Sequence, residues 1–156
     1  MMFWGTFRGG KMGLGLFFDL KSGQKINSVI YRDQVLLGPL KDFYMESLID
    51  ISEPIVIEDR ASVYKGAAKQ ARVDLKWMTY KHPPNSPDLN PIENIWAWIK
   101  HEIILKYKYI TSKTKMQRIV MEMWNNFMDT QWDGLIASMS DRMKAVIKAK
   151  GGPTQY

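Results

Sequence analysis

The pattern of apolar and polar residues predicts alternating strands and helices along the chain. The first two apolar runs, residues 2–7 and 14–19, surround the turn-forming segment Arg8-Gly9-Gly10-Lys11, which predicts two strands joined by a turn. Apolar residues then recur at roughly helical spacing from residue 25 to about residue 49. Because proline lacks a backbone N–H, Gly38-Pro39 predicts a kink or a break inside this helix.

The rest of the pattern continues the alternation of strands and helices. Residues 54–59 form a continuous apolar run that ends in acids, which is typical of a strand buried on both faces. The later predicted elements are a helix at 63–75, a short strand at 75–78, a proline-rich loop at 81–91, and helices at 91–107, 112–127 and 132–148. This order predicts an α/β fold in one domain, residues 1–150, followed by a disordered tail, residues 151–156.

Composition narrows the classes of function. The chain has no cysteine, which excludes disulfides and thiolate metal sites, and no apolar run long enough to predict a membrane span or a membrane partner. Lys and Arg number 22 against 16 Asp and Glu, which gives a formal net charge of +6. A positive excess favours an anionic partner, nucleic acid first, although a basic soluble protein without such a partner could have the same charge.

Two acidic residues occupy positions where a site could form. Asp59 ends the predicted strand at 54–58, and ligands of open α/β sheets gather beyond the carboxyl ends of strands. Alternatively, Asp59 caps the helix that follows. Glu93 lies in the first turn of the next strong helix, where Asn90-Pro91-Ile92-Glu93 has the form of a capping box. The pattern alone does not decide whether each acid caps a helix or contributes to a binding site.

Longer motifs around these acids resemble a known family. Ser86-Pro87-Asp88-Leu89-Asn90-Pro91-Ile92-Glu93-Asn94-Ile95-Trp96 closely resembles the signature of mariner-superfamily DDE transposases, whose Glu is the third catalytic acid. Glu58-Asp59-Arg60-Ala61 resembles the second block of that family, whose Asp is the second acid. The spacing of 33 residues between Asp59 and Glu93 is close to that of the family. The resemblance extends to two more segments, Met2-Phe3-Trp4-Gly5 and Tyr31-Arg32-Asp33-Gln34-Val35-Leu36.

The resemblance implies an RNase H-like fold, as in the catalytic cores of integrases and transposases, lacking its first strand and carrying C-terminal helices. It also implies DNA cleavage and strand transfer with two Mg²⁺ or Mn²⁺ ions held by three carboxylates. Asp59 and Glu93 would then be catalytic metal ligands that face each other across a sheet edge. DNA is the expected partner, a homodimer is an option, and the nucleus is the expected location.

The first catalytic acid of the family has no counterpart in this chain. It should lie on a strand upstream of Met2-Phe3-Trp4-Gly5, which predicts an N-terminal truncation, a misplaced start or a decayed gene copy. Asp19 is the nearest candidate, but it follows the hairpin on a different element. We therefore expect weak metal binding, an inactive chain, and a gap or shifted pairing between the hairpin and residues 54–58. Other departures from the family pattern are Arg60, Ser62, Tyr64 and His82.

The remaining candidate residues also have plain structural explanations. Three lysines could contact DNA phosphates or simply lie on a solvated helix face: Lys100, Lys106 and Lys108. His82 and His101 are too isolated for a metal site. Trp96 and Trp98 point to different faces of one helix, and we expect packing in the core or against a late helix rather than stacking on DNA bases.

Three functional hypotheses follow. The first is an inactive transposase core that ancestrally cut and rejoined DNA. The second is a non-catalytic nucleic-acid-binding or assembly remnant of a transposase. The third is an active enzyme whose first acid comes from another exon or another chain.

Overall fold

A computed structural model describes residues 1–59, 61–127 and 129–156, without the side chains of residues 129–132. The strands are β1 (Phe3–Trp4), β2 (Phe7–Arg8), β3 (Lys11–Met12), β4 (Leu16–Phe17), β5 (Ile55–Glu58) and β6 (Met78–Lys81). The helices are α1 (Ser28–Tyr31), α2 (Lys41–Ser47), α3 (Gly66–Asp74), α4 (Ile92–Lys106), α5 (Lys113–Asn125), α6 (Asp129–Ala137) and α7 (Met139–Lys148). A π-helical segment, Arg32–Leu40, joins α1 to α2, and short 3₁₀ turns occupy Ser62–Tyr64 and Pro87–Leu89.

The chain divides into two compact units. The first unit contains Met1–Gly5 and Leu16–Asn85, and the second contains Thr6–Gly15 and Ser86–Tyr156. The predicted domain boundary at residue 150 and the predicted disorder of residues 151–156 stay predictions.

The N-terminal hairpin forms as predicted, but it is interrupted. In the first unit β1 pairs antiparallel with β4, and in the second unit β2 pairs antiparallel with β3. The two predicted strands are therefore four short ones. Gly9 and Gly10 form the two-residue turn between Arg8 and Lys11. Gly10 has φ of 69°, a left-handed conformation that glycine adopts without a steric penalty.

The helix predicted from residue 25 to about 49 forms and breaks where proline requires it. The Asn27 side chain caps α1, accepting from the backbone N–H groups of Val29 and Ile30 at 3.0 Å each. Gly38, directly before Pro39, has non-helical φ and ψ of −118° and −110°, which confirms the predicted kink. The inner face of this broken helix packs with α3 into the buried cluster of the first unit: Tyr31, Val35, Leu36, Leu40, Ala68, Ala71 and Trp77.

The strand that ends at the candidate acid is confirmed, whereas its expected burial is wrong. Ile55 and Ile57 are 53% and 52% exposed, while Val56 packs against the buried cluster. Within the described ranges β5 pairs only with β6, in parallel, and alternate side chains point away from the core. The continuous apolar run therefore does not indicate burial on both faces.

The second strand of this pair begins later than predicted. Lys76 has φ of 56° and turns the chain after α3, and Trp77 then packs in the core, so β6 starts at Met78. Among the residues that the structure describes, neither β1 nor β4 pairs with β5, which agrees with the predicted gap beside residues 54–58.

The second unit packs α4 against α5 through aromatic side chains. Trp96 stacks on Trp124 with ring centroids 5.2 Å apart, and Trp98 meets Phe127 edge-on at 4.9 Å. Both tryptophans of α4 therefore pack internally, as predicted. The single helix predicted at 132–148 is instead two, α6 and α7, which meet at Ser138. No described helix combines the length and the apolar character that crossing a membrane requires.

Candidate active site

Asp59 directly follows β5 at its carboxyl end, in the first unit. Its side chain is exposed, and Oδ1 accepts a hydrogen bond from the backbone N–H of Ala61 at 2.7 Å. This bond closes a local turn. The alternative that Asp59 caps the following helix is wrong, because Lys65 holds the N-cap position of α3. Among the described residues Oδ2 has no hydrogen-bond partner, so one carboxylate oxygen can bind a ligand; Arg60 lies outside those residues.

Glu58, the acid beside Asp59, is engaged at both oxygens. Tyr31 donates its hydroxyl to Oε1 at 2.5 Å, and Arg72 places Nη1 2.8 Å from Oε2. The second terminal nitrogen of Arg72 donates to the carbonyl oxygen of Tyr64. The hydrogen bond from Tyr31 and the ion pair with Arg72 tie the end of β5 to α1 and α3. Among the described residues, Asp59 therefore keeps an oxygen without a partner, whereas Glu58 does not.

Burial sets the electrostatics of this network. Burial raises the pKa of the Glu58 carboxyl, although the Tyr31 hydrogen bond and the Arg72 charge act in the opposite direction. Burial also raises the pKa of the Tyr31 hydroxyl, and the Glu58 charge adds to that rise. Sequence reasoning missed this network. The only available signal was an arginine on the otherwise core-facing side of an alanine-rich helix.

Glu93 lies in the first turn of α4, in the second unit. The predicted capping box is wrong: the N-cap is Pro91, and the Glu93 backbone N–H donates to the Asn90 carbonyl at 3.0 Å. The carbonyls of Asn90 and Pro91 accept from the first N–H groups of α4, and no side chain caps the helix. The Glu93 side chain is exposed and makes no hydrogen bond or ion pair within the part of the chain described, which leaves its carboxylate available.

The two available carboxylates suit a hard divalent cation. Carboxylate oxygens are the ligands that Mg²⁺ and Mn²⁺ prefer, usually together with water or phosphate oxygens. In the described ranges no group of three or more His, Cys, Asp or Glu residues could hold a metal ion. Asp19 follows β4, and its backbone exchanges hydrogen bonds of 2.9 Å and 2.8 Å with the Gln34 side chain. The convergence of Asp59 and Glu93 on one cation stays a prediction.

The candidate DNA-contacting lysines are exposed. Lys106 pairs with Glu102 at 2.7 Å along α4, so part of its charge is locally compensated. Lys100 and Lys108 are exposed, and their contact with DNA stays a prediction. His82 is buried, with its ring edge-on to Tyr80, and His101 is exposed. Neither histidine is part of a possible metal cluster among the residues described.

A family model described as DDE superfamily endonuclease matches residues 26–116, more than half of the chain. The chain belongs to the DDE superfamily endonucleases. The matched range contains both Asp59 and Glu93, together with the signature segment from Ser86 to Trp96.

Two curated transposases show how much of a DDE protein this chain represents. The Tc3 transposase of Caenorhabditis elegans is 27% identical over 157 residues, which cover 100% of this chain and 46% of that protein. The Tcb1 transposase of Caenorhabditis briggsae is 38% identical over 76 residues, which cover 47% of this chain and 26% of that protein. The chain thus spans less than half the length of these relatives.

Solved structures confirm the predicted fold of this DDE-family chain. The catalytic domain of Mos1 mariner transposase matches with a TM-score of 0.82 at 18% identity, covering 98% of this chain and 75% of that one. The fold is therefore RNase H-like, as predicted. Other matching Mos1 catalytic-domain structures are described as containing Mn or Mg, and a Mos1 paired-end complex with the left transposon end matches with a TM-score of 0.80.

Proposed function

We propose that this chain supplies Asp59 and Glu93 to a divalent-metal site that cleaves and rejoins DNA phosphodiester bonds. One observation carries the proposal. The two acids that match the family motifs keep carboxylate oxygens without partners among the described residues, whereas both oxygens of neighbouring Glu58 are engaged. A carboxylate oxygen without a protein partner can bind a cation, whereas the oxygens of Glu58 are already held by Tyr31 and Arg72.

Local backbone structure places each of these acids. The Ala61 N–H holds Asp59 Oδ1, and Oδ2 has no hydrogen-bond partner among the described residues. The first turn of α4 presents Glu93 at a helix N-terminus, where a negative charge is favoured. Asp59 and Glu93 would hold Mg²⁺ or Mn²⁺. When bound, such ions activate water or a 3′-hydroxyl and stabilise the leaving oxygen.

We further propose that these 156 residues by themselves do not catalyse the reaction. Only two of their acids match the family's catalytic motifs, and a metal site that lacks one of its carboxylate ligands would bind its ions weakly. Weak metal binding and lost cleavage therefore have the same cause.

DNA is the substrate that we propose, and the nucleus is the location that follows from it. The net charge of +6 and the exposed lysines on and after α4 favour a polyanionic partner. The same charge supports a second candidate, a non-catalytic transposase remnant that binds DNA. A homodimer remains an option for either.

Plasmid nicking and DNA binding with and without Mn²⁺ distinguish these functions. We expect no nicking of supercoiled plasmid by the chain, and DNA binding that Mn²⁺ strengthens in the wild type but not in Asp59→Asn or Glu93→Gln. Salt-sensitive DNA binding that Mn²⁺ does not change in any of the three proteins would contradict the metal site and support the non-catalytic transposase remnant. Nicking that only the wild type performs would overturn the proposed inactivity and support the hypothesis that the first acid comes from elsewhere.

A further inference from the structure

A buried arginine lies near the signature turn of the second unit. Arg142, on α7, is only 3% exposed. Its Nε donates to Ser138 Oγ at 2.8 Å, and its Nη1 donates to the Asp88 carbonyl oxygen at 3.0 Å. The guanidinium carbon lies 4.8 Å from the centroid of the Tyr156 ring. A buried charge costs free energy unless such partners hold it, so these contacts fix the side chain in one place.

The carboxylate of the same aspartate is held from the C-terminal segment. Thr154 donates its hydroxyl to Asp88 Oδ2 at 3.0 Å. The backbone N–H of Tyr156 in turn donates to the Thr154 hydroxyl oxygen at 3.3 Å. Asp88 is therefore bound twice, through its carbonyl by α7 and through its carboxylate by the segment after α7.

Backbone hydrogen bonds connect Asp88 to the candidate metal ligand. Asp88 is the middle residue of the 3₁₀ turn Pro87–Leu89. The N–H of Asn90 donates to the Pro87 carbonyl at 2.9 Å, and the N–H of Glu93 donates to the Asn90 carbonyl at 3.0 Å. A shift of this turn would therefore move the first turn of α4 and the carboxylate that it presents.

We propose that Arg142 and Thr154 are positioning residues that fix the Glu93 turn through Asp88. Asp88 is then an internal acceptor and not a metal ligand, although it lies within the signature motif. The restraint on the turn rests on contacts within the second unit alone. Its consequence for the metal rests on the proposed function.

Two mild substitutions test the restraint without removing a core side chain. Thr154→Val removes one donor at nearly constant volume, and Arg142→Lys keeps the charge but loses the planar fork of donors. Their matched controls are Thr114→Val and Arg118→Lys, which replace the same residue types at exposed positions of α5.

Amide hydrogen exchange measures directly how strongly the Glu93 turn is held. We expect Thr154→Val to speed exchange of the amides at 89–94 about fivefold, the effect of one lost hydrogen bond, and Arg142→Lys to speed it more. Exchange within residues 119–124 of α5 and in both control variants should be unchanged. Equal acceleration throughout the second unit, or none at 89–94, would overturn the proposal.

Mn²⁺ affinity then separates positioning from mere packing. We expect Arg142→Lys and Thr154→Val to bind Mn²⁺ more weakly than the control variants Arg118→Lys and Thr114→Val, at temperatures where all four proteins are folded. We also expect Asp88→Asn to retain more Mn²⁺ affinity than Glu93→Gln. Faster local exchange with unchanged Mn²⁺ affinity would overturn the positioning role. Equal losses in Asp88→Asn and Glu93→Gln would overturn the assignment of Asp88. A wild-type chain that binds no Mn²⁺ would refute the proposed function, and exchange would still decide the restraint.

Discussion

The ion pair between Glu58 and Arg72 gives the sharpest prediction for stability. The two side chains are 14% and 9% exposed, so the pair is largely shielded from water. Arg72→Met removes the guanidinium and leaves the Glu58 carboxylate with the Tyr31 hydroxyl as its remaining described partner. Breaking a buried pair by removing one partner costs about 3–5 kcal/mol. Because some exposure remains, we expect the lower end, about 3 kcal/mol.

A double-mutant cycle identifies the origin of that loss. Replacing both partners, as in Arg72→Met with Glu58→Gln, leaves no buried charge, keeps an acceptor for the Tyr31 hydroxyl and should recover most of the lost free energy of unfolding. Urea unfolding followed by circular dichroism measures each variant. At about 2–4 °C per kcal/mol for a chain of this size, the single variant should lower Tm by about 6–12 °C.

The control for this cycle is Lys69→Met, which makes the same kind of change at an exposed position on α3. We expect it to change stability by less than about 0.5 kcal/mol. The reasoning is refuted if Arg72→Met is no more destabilising than this control, or if the losses of the two single variants simply add in the double variant. Either result would mean that the pair does not anchor the end of β5.

Three further predictions follow from the structure. Alanine at each candidate DNA-contacting lysine should reduce the slope of log K for DNA binding against log salt by about 1 per lost phosphate contact, measured by fluorescence anisotropy. The control Lys148→Ala should leave this slope unchanged, and an equal change in the control and in these variants would exclude a specific contact. Trp124→Phe removes the 3.1 Å hydrogen bond from Nε1 to the Gly13 carbonyl and part of the buried ring that stacks on Trp96, so it should cost more than about 1 kcal/mol in urea unfolding; no loss would mean that this bond does not hold the hairpin. Asp19→Asn should leave Mn²⁺ affinity unchanged by calorimetry, because this acid follows β4; a loss as large as that of Asp59→Asn would show that Asp19 is a ligand.

Local rules predicted the elements that position the acids. The break at Gly38 follows from the missing N–H of Pro39, and the hairpin turn follows from two adjacent glycines. The signature segment predicted α4 to within a residue at each end. These features depend on neighbours in the chain, which a single sequence displays.

Contacts between distant residues were beyond such rules. Arg142 and Asp88 are 54 residues apart, and nothing in the sequence of either segment indicates the other. The capping box at Glu93 failed because the backbone carbonyl of Asn90, and not its side chain, accepts from the Glu93 N–H, which the motif does not reveal. The expected two-sided burial of β5 failed because the apolar run records hydrophobicity and not the number of neighbouring strands.

The central claim is that Asp59 and Glu93 bind the same cation, and paramagnetic broadening by Mn²⁺ tests it most directly. In a titration followed by NMR, we predict that amide signals next to both acids broaden together, with one dependence on Mn²⁺ concentration. Asp59→Asn and Glu93→Gln should each reduce broadening at both places, whereas Asp42→Asn, an exposed acid of α2, should not. Broadening around one acid that survives loss of the other would contradict a shared site.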